Sequence, residues 1–297
     1  MTKVSVCMIT YNHEAFITEA LEGVFNQQCD FDIEVIISND CSTDQTHKTI
    51  TEFLKTNTRR NITVNYFNHT KNLGMIPNFK FTLKQCKGTY IALCDGDDYW
   101  TDPLKLQKQV DFLEANEEYN ICFHKVQMLE GAAFVEDVIE KRFDAIANRP
   151  ISRQDLLEQG NFMHTPSVVF RRQSLDLPFE FYTSTIGDYF LHIINASNGY
   201  IHRIDEFMAV YRKGVGVYST LSSAKMTLKI LSYQSSLLSY LSEPSEKKIL
   251  LEKQMQLISS LEGKMSELDK KQYLTINTPL SYLVGVILLK LKRKFRL

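Results

Sequence analysis

The chain of 297 residues lacks a dominant charge. Its 34 Lys and Arg against 35 Asp and Glu leave a formal net charge of −1, so composition gives no global electrostatic case for nucleic-acid binding. It also lacks any C-x-x-C pair. The six cysteines, at 7, 29, 41, 86, 94 and 122, mostly lie in or beside apolar runs; they read as reduced, buried thiols of a cytosolic protein, and a zinc site is not expected. No charged segment followed by a long apolar core opens the chain, and Met1-Thr2-Lys3-Val4 leads almost directly into a strand pattern, so no signal peptide is expected. Internal repeats and low-complexity tracts are absent. No apolar run is long enough to span a bilayer: Leu280–Leu289 is about half of the ~20 residues required. Lys290, Lys292, Arg293, Lys294 and Arg296 follow at once. An apolar segment with a polybasic end reads as a tail lying on an anionic membrane surface; the plainer reading is a last helix that docks on the protein. The expectation adopted is a cytoplasmic protein, peripheral on the inner face of the cell membrane.

What is present is an ordinary globular composition, 44% hydrophobic and 23% charged. Val4–Thr10 is an almost wholly apolar strand. Phe16, Ile17, Ala20, Leu21, Val24 and Phe25 form one broad helical stripe. Ile33–Ser38 is a second strand, and Ser42 or Thr43 is expected to cap a helix carrying Ile50, Phe53 and Leu54. Ile62–Phe67 is a third strand, Pro77 fits the first position of another helix, and Tyr90–Cys94 is a fourth strand. This alternation predicts an α/β fold with a mainly parallel sheet and helices on both faces. Further on, a helix is expected after Asp102-Pro103, strands over Asn120–Leu129, Ser167–Phe170 and Ile201–Tyr211, and a helix over Gly187–Asn195. Residues 130–165 are less periodic and are expected to hold loops near the acceptor. After residue 218 Leu, Ser, Lys and Glu dominate. The organisation expected is 1–218, with a nucleotide-binding half over 1–100 and an acceptor-binding half over 101–218, then a helical region over 219–297 ending in the membrane-associating tail.

The most informative stretch is Tyr90-Ile91-Ala92-Leu93-Cys94-Asp95-Gly96-Asp97-Asp98. A buried strand ends abruptly in three carboxylates, at the edge where open α/β sheets bind ligands. Packed carboxylates repel one another unless a cation neutralises them. A hard divalent ion can take their oxygens and share phosphate oxygens as well. The two readings of the motif alone are a metal-diphosphate site and a solvated acidic turn. Asp40, in Ser38-Asn39-Asp40-Cys41-Ser42-Thr43-Asp44, follows the second strand at the same edge. As an acceptor-only group it suits the N–H of uracil, thymine or guanine, or else it supports a turn. Asp44 reads as support for the following helix N-terminus.

Four segments in order resemble the family 2 glycosyltransferases of the GT-A fold: Val4–Asn12, Ile36–Asp44, Asn72-Leu73-Gly74 and Asp95-Gly96-Asp97-Asp98. The resemblance covers about residues 3–215 and implies an inverting transfer of sugar from a nucleotide-sugar donor. It implies that Thr10, Tyr11 and Asn12 line the nucleotide pocket, that Asp40 hydrogen-bonds the base and that Asn72 sits near the nucleotide-sugar. It further implies that Asp95 and Asp97 are the DxD pair contacting ribose and a Mn2+ or Mg2+ ion on the diphosphate, with Asp97 the main ligand, and that Asp98 orients the turn. Two departures stand out. Asn39 replaces the first of the family's usual Asp-Asp pair, and Tyr211-Arg212-Lys213-Gly214-Val215-Gly216 carries no His in the late loop. Arg212 or Lys213 could meet the diphosphate instead, or form a basic surface loop.

Inverting transfer needs a base to take the acceptor hydroxyl proton. Asp188, in Thr185-Ile186-Gly187-Asp188-Tyr189, resembles the family's late acidic motif and is the expected base; helix N-capping is its structural alternative. His164 could line the acceptor pocket or be a loop or core histidine, and Trp100 could wall the donor sugar or simply pack. The donor expected is a UDP-, dTDP- or GDP-sugar, and the acceptor a glycan or lipid-linked glycan of surface polysaccharide biosynthesis. The rivals are a nucleotidyltransferase and a non-catalytic nucleotide-sugar binding protein. The first needs a Gly-rich basic loop after strand one, where this chain has Tyr11-Asn12-His13-Glu14. The second would lack a competent base. A processive synthase is disfavoured by the absence of Q-x-x-R-W and of spanning helices.

Overall fold

The structure is a computed structural model and describes residues 2–139, 143, 146, 149–172, 177–216 and 223–267. The tail at 280–297 lies outside the described residues. Among the described residues no helix is long and apolar enough to cross a membrane.

The first half follows the expected alternation. Strands β1 (Val4–Thr10), β2 (Ile33–Asn39), β3 (Ile62–Asn68) and β4 (Tyr90–Leu93) are separated by helices α1 (Ile17–Phe25), α2 (Thr46–Thr56) and α3 (Met75–Gln85). β1 pairs in parallel with β2 and β4, and β2 with β3. Then come β5 (Tyr99–Trp100), α4 (Lys105–Ala115), β6 (Tyr119–Glu130), β7 (Ala133–Val135), α5 (Arg153–Gln159), β8 (Val169–Arg171), α6 (Phe179–Thr183), α7 (Gly187–Asn195) and β9 (Tyr200–Lys213). The sheet runs β3-β2-β1-β4-β8-β6-β9-β5, with β7 on β6. β8 is antiparallel to both β4 and β6, β9 runs parallel to β6, and the two-residue β5 pairs antiparallel with β9. That last pairing brings the end of β9 beside the chain that has just left β4.

Side chains alternate across the sheet as the pleat requires. Val4, Val6, Met8, Val35 and Ile37 enter one buried cluster with Leu21 of α1, Ile50 of α2 and Leu106 of α4. Cys7, Ile36, Ile91 and Leu93 enter the other, with Leu83 of α3, Leu156 of α5 and Phe190 of α7.

Several boundaries differ from expectation for local reasons. Pro77 is the third residue of α3, still within the first turn, where no N–H is needed for the helix ladder. α2 begins at Thr46, not after Ser42 or Thr43. Ser42 Oγ instead accepts the Asn12 N–H at 2.9 Å, while Asp44 accepts both the backbone N–H and the hydroxyl of Thr46, at 3.0 and 2.6 Å.

Beyond β9, α8 (Ser223–Tyr240) and α9 (Pro244–Glu267) break near Pro244 as the sequence suggests. The composition changes at 218, but contacts divide the chain between Leu251 and Glu252. α8 therefore belongs to the first unit: Thr185 Oγ1 donates to the Lys229 carbonyl at 2.8 Å, and the Tyr189 and Tyr233 rings meet at 5.6 Å.

Candidate active site

The site begins at the C-terminal ends of β1, β2 and β4, where parallel pairing leaves the chain free to turn away from the sheet. Thr10 ends β1, is 2% exposed, and its carbonyl accepts the Asp40 N–H at 2.9 Å. Asn12 and Cys41 both adopt positive φ, 56° and 60°. These two turns lock together, since Asn12 Oδ1 accepts the Thr43 N–H at 2.8 Å. Tyr11 is left 39% exposed at the rim. Asn39, the departure from Asp-Asp, is buried; its amide donates to Asn68 Oδ1 at 2.8 Å and its oxygen accepts from Ser42. Asn39 thus builds the turn.

Asp40 is 3% exposed and organises the Asn72-Leu73-Gly74 segment. Its two carboxylate oxygens accept the N–H groups of Leu73 at 2.6 Å and Gly74 at 2.9 Å, and its carbonyl accepts the Asn72 amide at 3.0 Å. A carboxylate has about four lone-pair positions, so these two N–H groups do not exhaust its acceptor capacity.

The acidic turn after β4 lies against β1. A Cβ on Gly96 would come within 2.7 Å of Thr10 Oγ1 and 3.0 Å of His13 Nδ1, so only glycine fits there. His13, which sequence reading passed over as part of an exit turn, reaches Asp97: His13 Nε2 lies 3.9 Å from Asp97 Oδ2, and its Nδ1 is 3.2 Å from Thr10 Oγ1. Burial lowers the pKa of His13, while Asp97 opposes that shift. The available signal was its place two residues beyond Tyr11 on the ligand edge.

Asp98 accepts the backbone N–H of Arg212 at 2.8 Å, as an orienting residue would. Arg212 in turn donates to the Asp97 carbonyl at 2.6 Å and to Glu19. Its guanidinium lies 4.9 Å from the Phe16 ring centroid and 4.6 Å from that of Tyr99. The structure thus places Arg212, which is 8% exposed, as a clamp on the acidic turn. Beyond it, Gly216 lies near Asp97: a Cβ there would be 3.7 Å from Asp97 Oδ2.

Trp100 is not at the pocket. It is 4% exposed, its indole N–H donates to the Pro166 carbonyl at 2.9 Å, and the Lys105 ammonium sits 4.1 Å from its ring centroid. The β5–β9 pairing turns it into the core against α1, where the backbone of Trp100 meets Gly23.

Asp188 is the second residue of α7. Ile186 is the N-cap and makes no side-chain cap bond, so Asp188 does not cap this helix. Its Oδ2 lies 3.5 Å from both Asn161 Nδ2 and Thr165 Oγ1. α7 is seated by Gly187, where a Cβ would come within 2.9 Å of Phe79 on α3. This docking brings Asp188 to the acidic turn. The Asp95 carboxyl is held well above its usual range by burial first, then by the charges of Asp97 and Asp188. Tyr211 lies among the same groups: burial, then Asp98, Asp97, Asp188 and Asp95, all push its hydroxyl pKa up. The Tyr211 ring is 4.8 Å from that of His164, whose Nε2 is 2.8 Å from Asp137 Oδ2. Sequence reading gave no role to Asp137, and it quoted Tyr211 only as the start of the late loop.

Among the described residues no group of three or more His, Cys, Asp or Glu is disposed to hold a metal. The groups that could hold one there are the Asp95 and Asp97 carboxylates, with His13 Nε2 3.9 Å from Asp97 Oδ2. The carboxylates are hard oxygen ligands, suited to a divalent ion that completes its shell with phosphate oxygens and water.

The sequence profile described as "Glycosyl transferase family 2" matches residues 5–176. The chain belongs to glycosyl transferase family 2. An uncharacterized protein of Mycobacterium tuberculosis is 39% identical over 211 residues, 70% of this chain and 58% of that protein. An uncharacterized glycosyltransferase of Haemophilus influenzae is 29% identical over 180 residues, 57% of this chain and 51% of that one. This family 2 chain thus spans just over half the length of these relatives. Among solved structures, S. aureus TarS 1-349 in complex with UDP has a TM-score of 0.62 at 19% identity, over 84% of this chain and 70% of that one. The mannosyltransferase PcManGT from Pyrobaculum calidifontis, in complex with GDP-Man and Mn2+, has a TM-score of 0.59 at 14% identity, over 99% and 82%. At these identities the structural likeness is one of fold, and the family 2 chain has the GT-A architecture.

Proposed function

We propose that this family 2 chain is an inverting glycosyltransferase. It moves a sugar from a nucleoside-diphosphate sugar to a hydroxyl of a glycan or lipid-linked glycan in surface polysaccharide biosynthesis, at the inner face of the membrane. The observation that carries the reading is the convergence of Asp188 with the Asp95–Asp97 pair around Tyr211, from segments about ninety residues apart. Two carboxylate sites of separate origin, one at the end of β4 and one at the start of α7, match the division of labour in inverting transfer. Asp188 takes the acceptor hydroxyl proton as that oxygen attacks the anomeric carbon. Asp40 receives the base N–H, and Thr10, Tyr11, Asn12 and Asn72 shape the nucleotide pocket. Asp97, with Asp95, would hold Mn2+ or Mg2+, which supplies charge stabilisation to the departing diphosphate. The nucleotide sugars named with the solved structures, UDP-GlcNAc in TarS and GDP-Man in PcManGT, support a UDP-, dTDP- or GDP-type donor.

Calorimetry with UDP, dTDP, GDP, ADP and CDP, each with and without Mn2+, tests this reading. Metal-dependent binding of one of the first three is expected. No binding of any nucleotide would overturn it. A non-catalytic binding module would bind the nucleotide yet turn over no sugar donor.

A further inference from the structure

We propose that the face formed by α3 and α6 is a second membrane-contacting surface, which seats on anionic lipid headgroups beside the acceptor side of the site. Phe179 and Tyr182 on α6 are 76% and 40% exposed. Lys80 and Lys84, one turn apart on α3, both lie over the Tyr182 ring, with ammonium nitrogens 4.5 and 5.6 Å from its centroid. Lys80 also lies 5.3 Å from the Phe181 centroid. Lys80 is only 6% exposed, yet its ammonium is not among the enclosed polar atoms left without a partner; the stem is buried and the tip emerges. Burial lowers its pKa to about 8.

Among the described residues neither lysine has a carboxylate within ion-pair distance. The acid on the neighbouring helix is Glu180, in the first turn of α6. Two lysines thus stand at the exposed Tyr182 ring, and the exposed Phe179 lies three residues before it on α6. Aromatic rings at headgroup depth, flanked by lysines whose stems lie along apolar surface, are the composition of a membrane-interface contact. The complementary partner is a surface both apolar and negative, and an anionic bilayer is both.

Position gives the contact a use. α6 leads through Ser184, Thr185 and Ile186 into α7, whose second residue is Asp188. A bilayer seated on α6 would lie beside the residue assigned to the acceptor hydroxyl. The contact itself does not depend on the transfer reading, because lipid binding is measured without donor or acceptor.

The test uses the full chain carrying Phe179→Trp. The native Trp100 is buried, so a change in emission reports the indole at 179. With phosphatidylcholine vesicles containing phosphatidylglycerol, a blue shift is expected. Pure phosphatidylcholine should give little, and high salt should reverse the shift. Adding Lys80→Gln and Lys84→Gln should weaken vesicle binding by roughly 20- to 30-fold, from about 1 kcal/mol per lysine, with circular dichroism confirming the fold. Co-sedimentation without an emission shift would assign binding to another segment and overturn the proposal, as would an absence of binding. A shift with glycerol phosphate or inorganic phosphate alone would point to a soluble anion and overturn it too.

Discussion

Arg212 and Asp98 are joined through the main chain: the Arg212 N–H donates to Asp98 Oδ1 at 2.8 Å, and the Arg212 guanidinium returns to the Asp97 carbonyl at 2.6 Å. The end of β9 and the acidic turn after β4 are thus tied in both directions. The third acid of the cluster positions the loop that carries the other two.

Arg212→Ala should therefore cost stability as well as ligand affinity. Removing a buried guanidinium frees the Asp97 carbonyl and leaves a gap between Phe16 and Tyr99, which should destabilise the fold by about 2 kcal/mol. Urea denaturation checks this. If Arg212 acted solely on the diphosphate, nucleotide affinity would fall while the urea midpoint stayed in place.

Asp40→Asn should loosen the Asn72–Gly74 segment. The amide keeps one acceptor oxygen for the two N–H groups of Leu73 and Gly74, so one is left poorly satisfied, at about 1–2 kcal/mol. Thermal unfolding should shift downward, and nucleotide binding measured by calorimetry should weaken in parallel. Unchanged stability would mean that the N–H groups find another acceptor.

Asp188→Asn should keep the fold and the nucleotide site while removing the proton acceptor. The isosteric amide can still sit between Asn161 and Thr165. Nucleotide affinity should stay within about twofold, whereas kcat/KM for transfer should fall by about 100- to 10,000-fold. Near-normal turnover would move the base elsewhere.

Stability should depend on acid through Asp155. This residue closes the capping box of α5 with Ser152 and accepts from Arg149 at 2.7 Å. Arg149, then the Ser152 contacts, working against burial, lower its pKa from 3.8 to about 2. A depressed folded-state pKa means that the contribution is present above the unfolded value and is lost as pH falls from there through the folded one. Because Arg149 is exposed and water screens the pair, the Asp155 contribution is expected to be about 1 kcal/mol. The stability gap between wild type and Asp155→Asn should narrow between roughly pH 5 and pH 2; denaturation at a series of pH values checks it.

Much of the first half was legible in the sequence because its signals are local. A buried parallel strand shows as an apolar run, its helix as a stripe, and the ligand edge as a polar break between them. The four segments that resembled family 2 all sit on that edge, at the ends of β1, β2 and β4 and at the start of α3. Gly187–Asn195 was read as a helix to its observed limits for the same reason. Trp100 was not placed correctly by adjacency to the acids, because β5 turns it inward. His13 and Tyr211 were quoted within their loops but given no role, because their significance lies in what they approach.

By itself the sequence determined the α/β alternation, the glycine between two acids and the carboxylates at the strand ends, since periodicity and turn chemistry act over a few residues. Tertiary structure alone decided that Asp188 comes within electrostatic reach of Asp95, that Arg212 clamps the turn at Asp97 and Asp98, and that α8 packs with the first unit. Those relationships join positions tens to more than a hundred residues apart. They follow from strand order and helix docking, which bring together side chains that no local pattern relates.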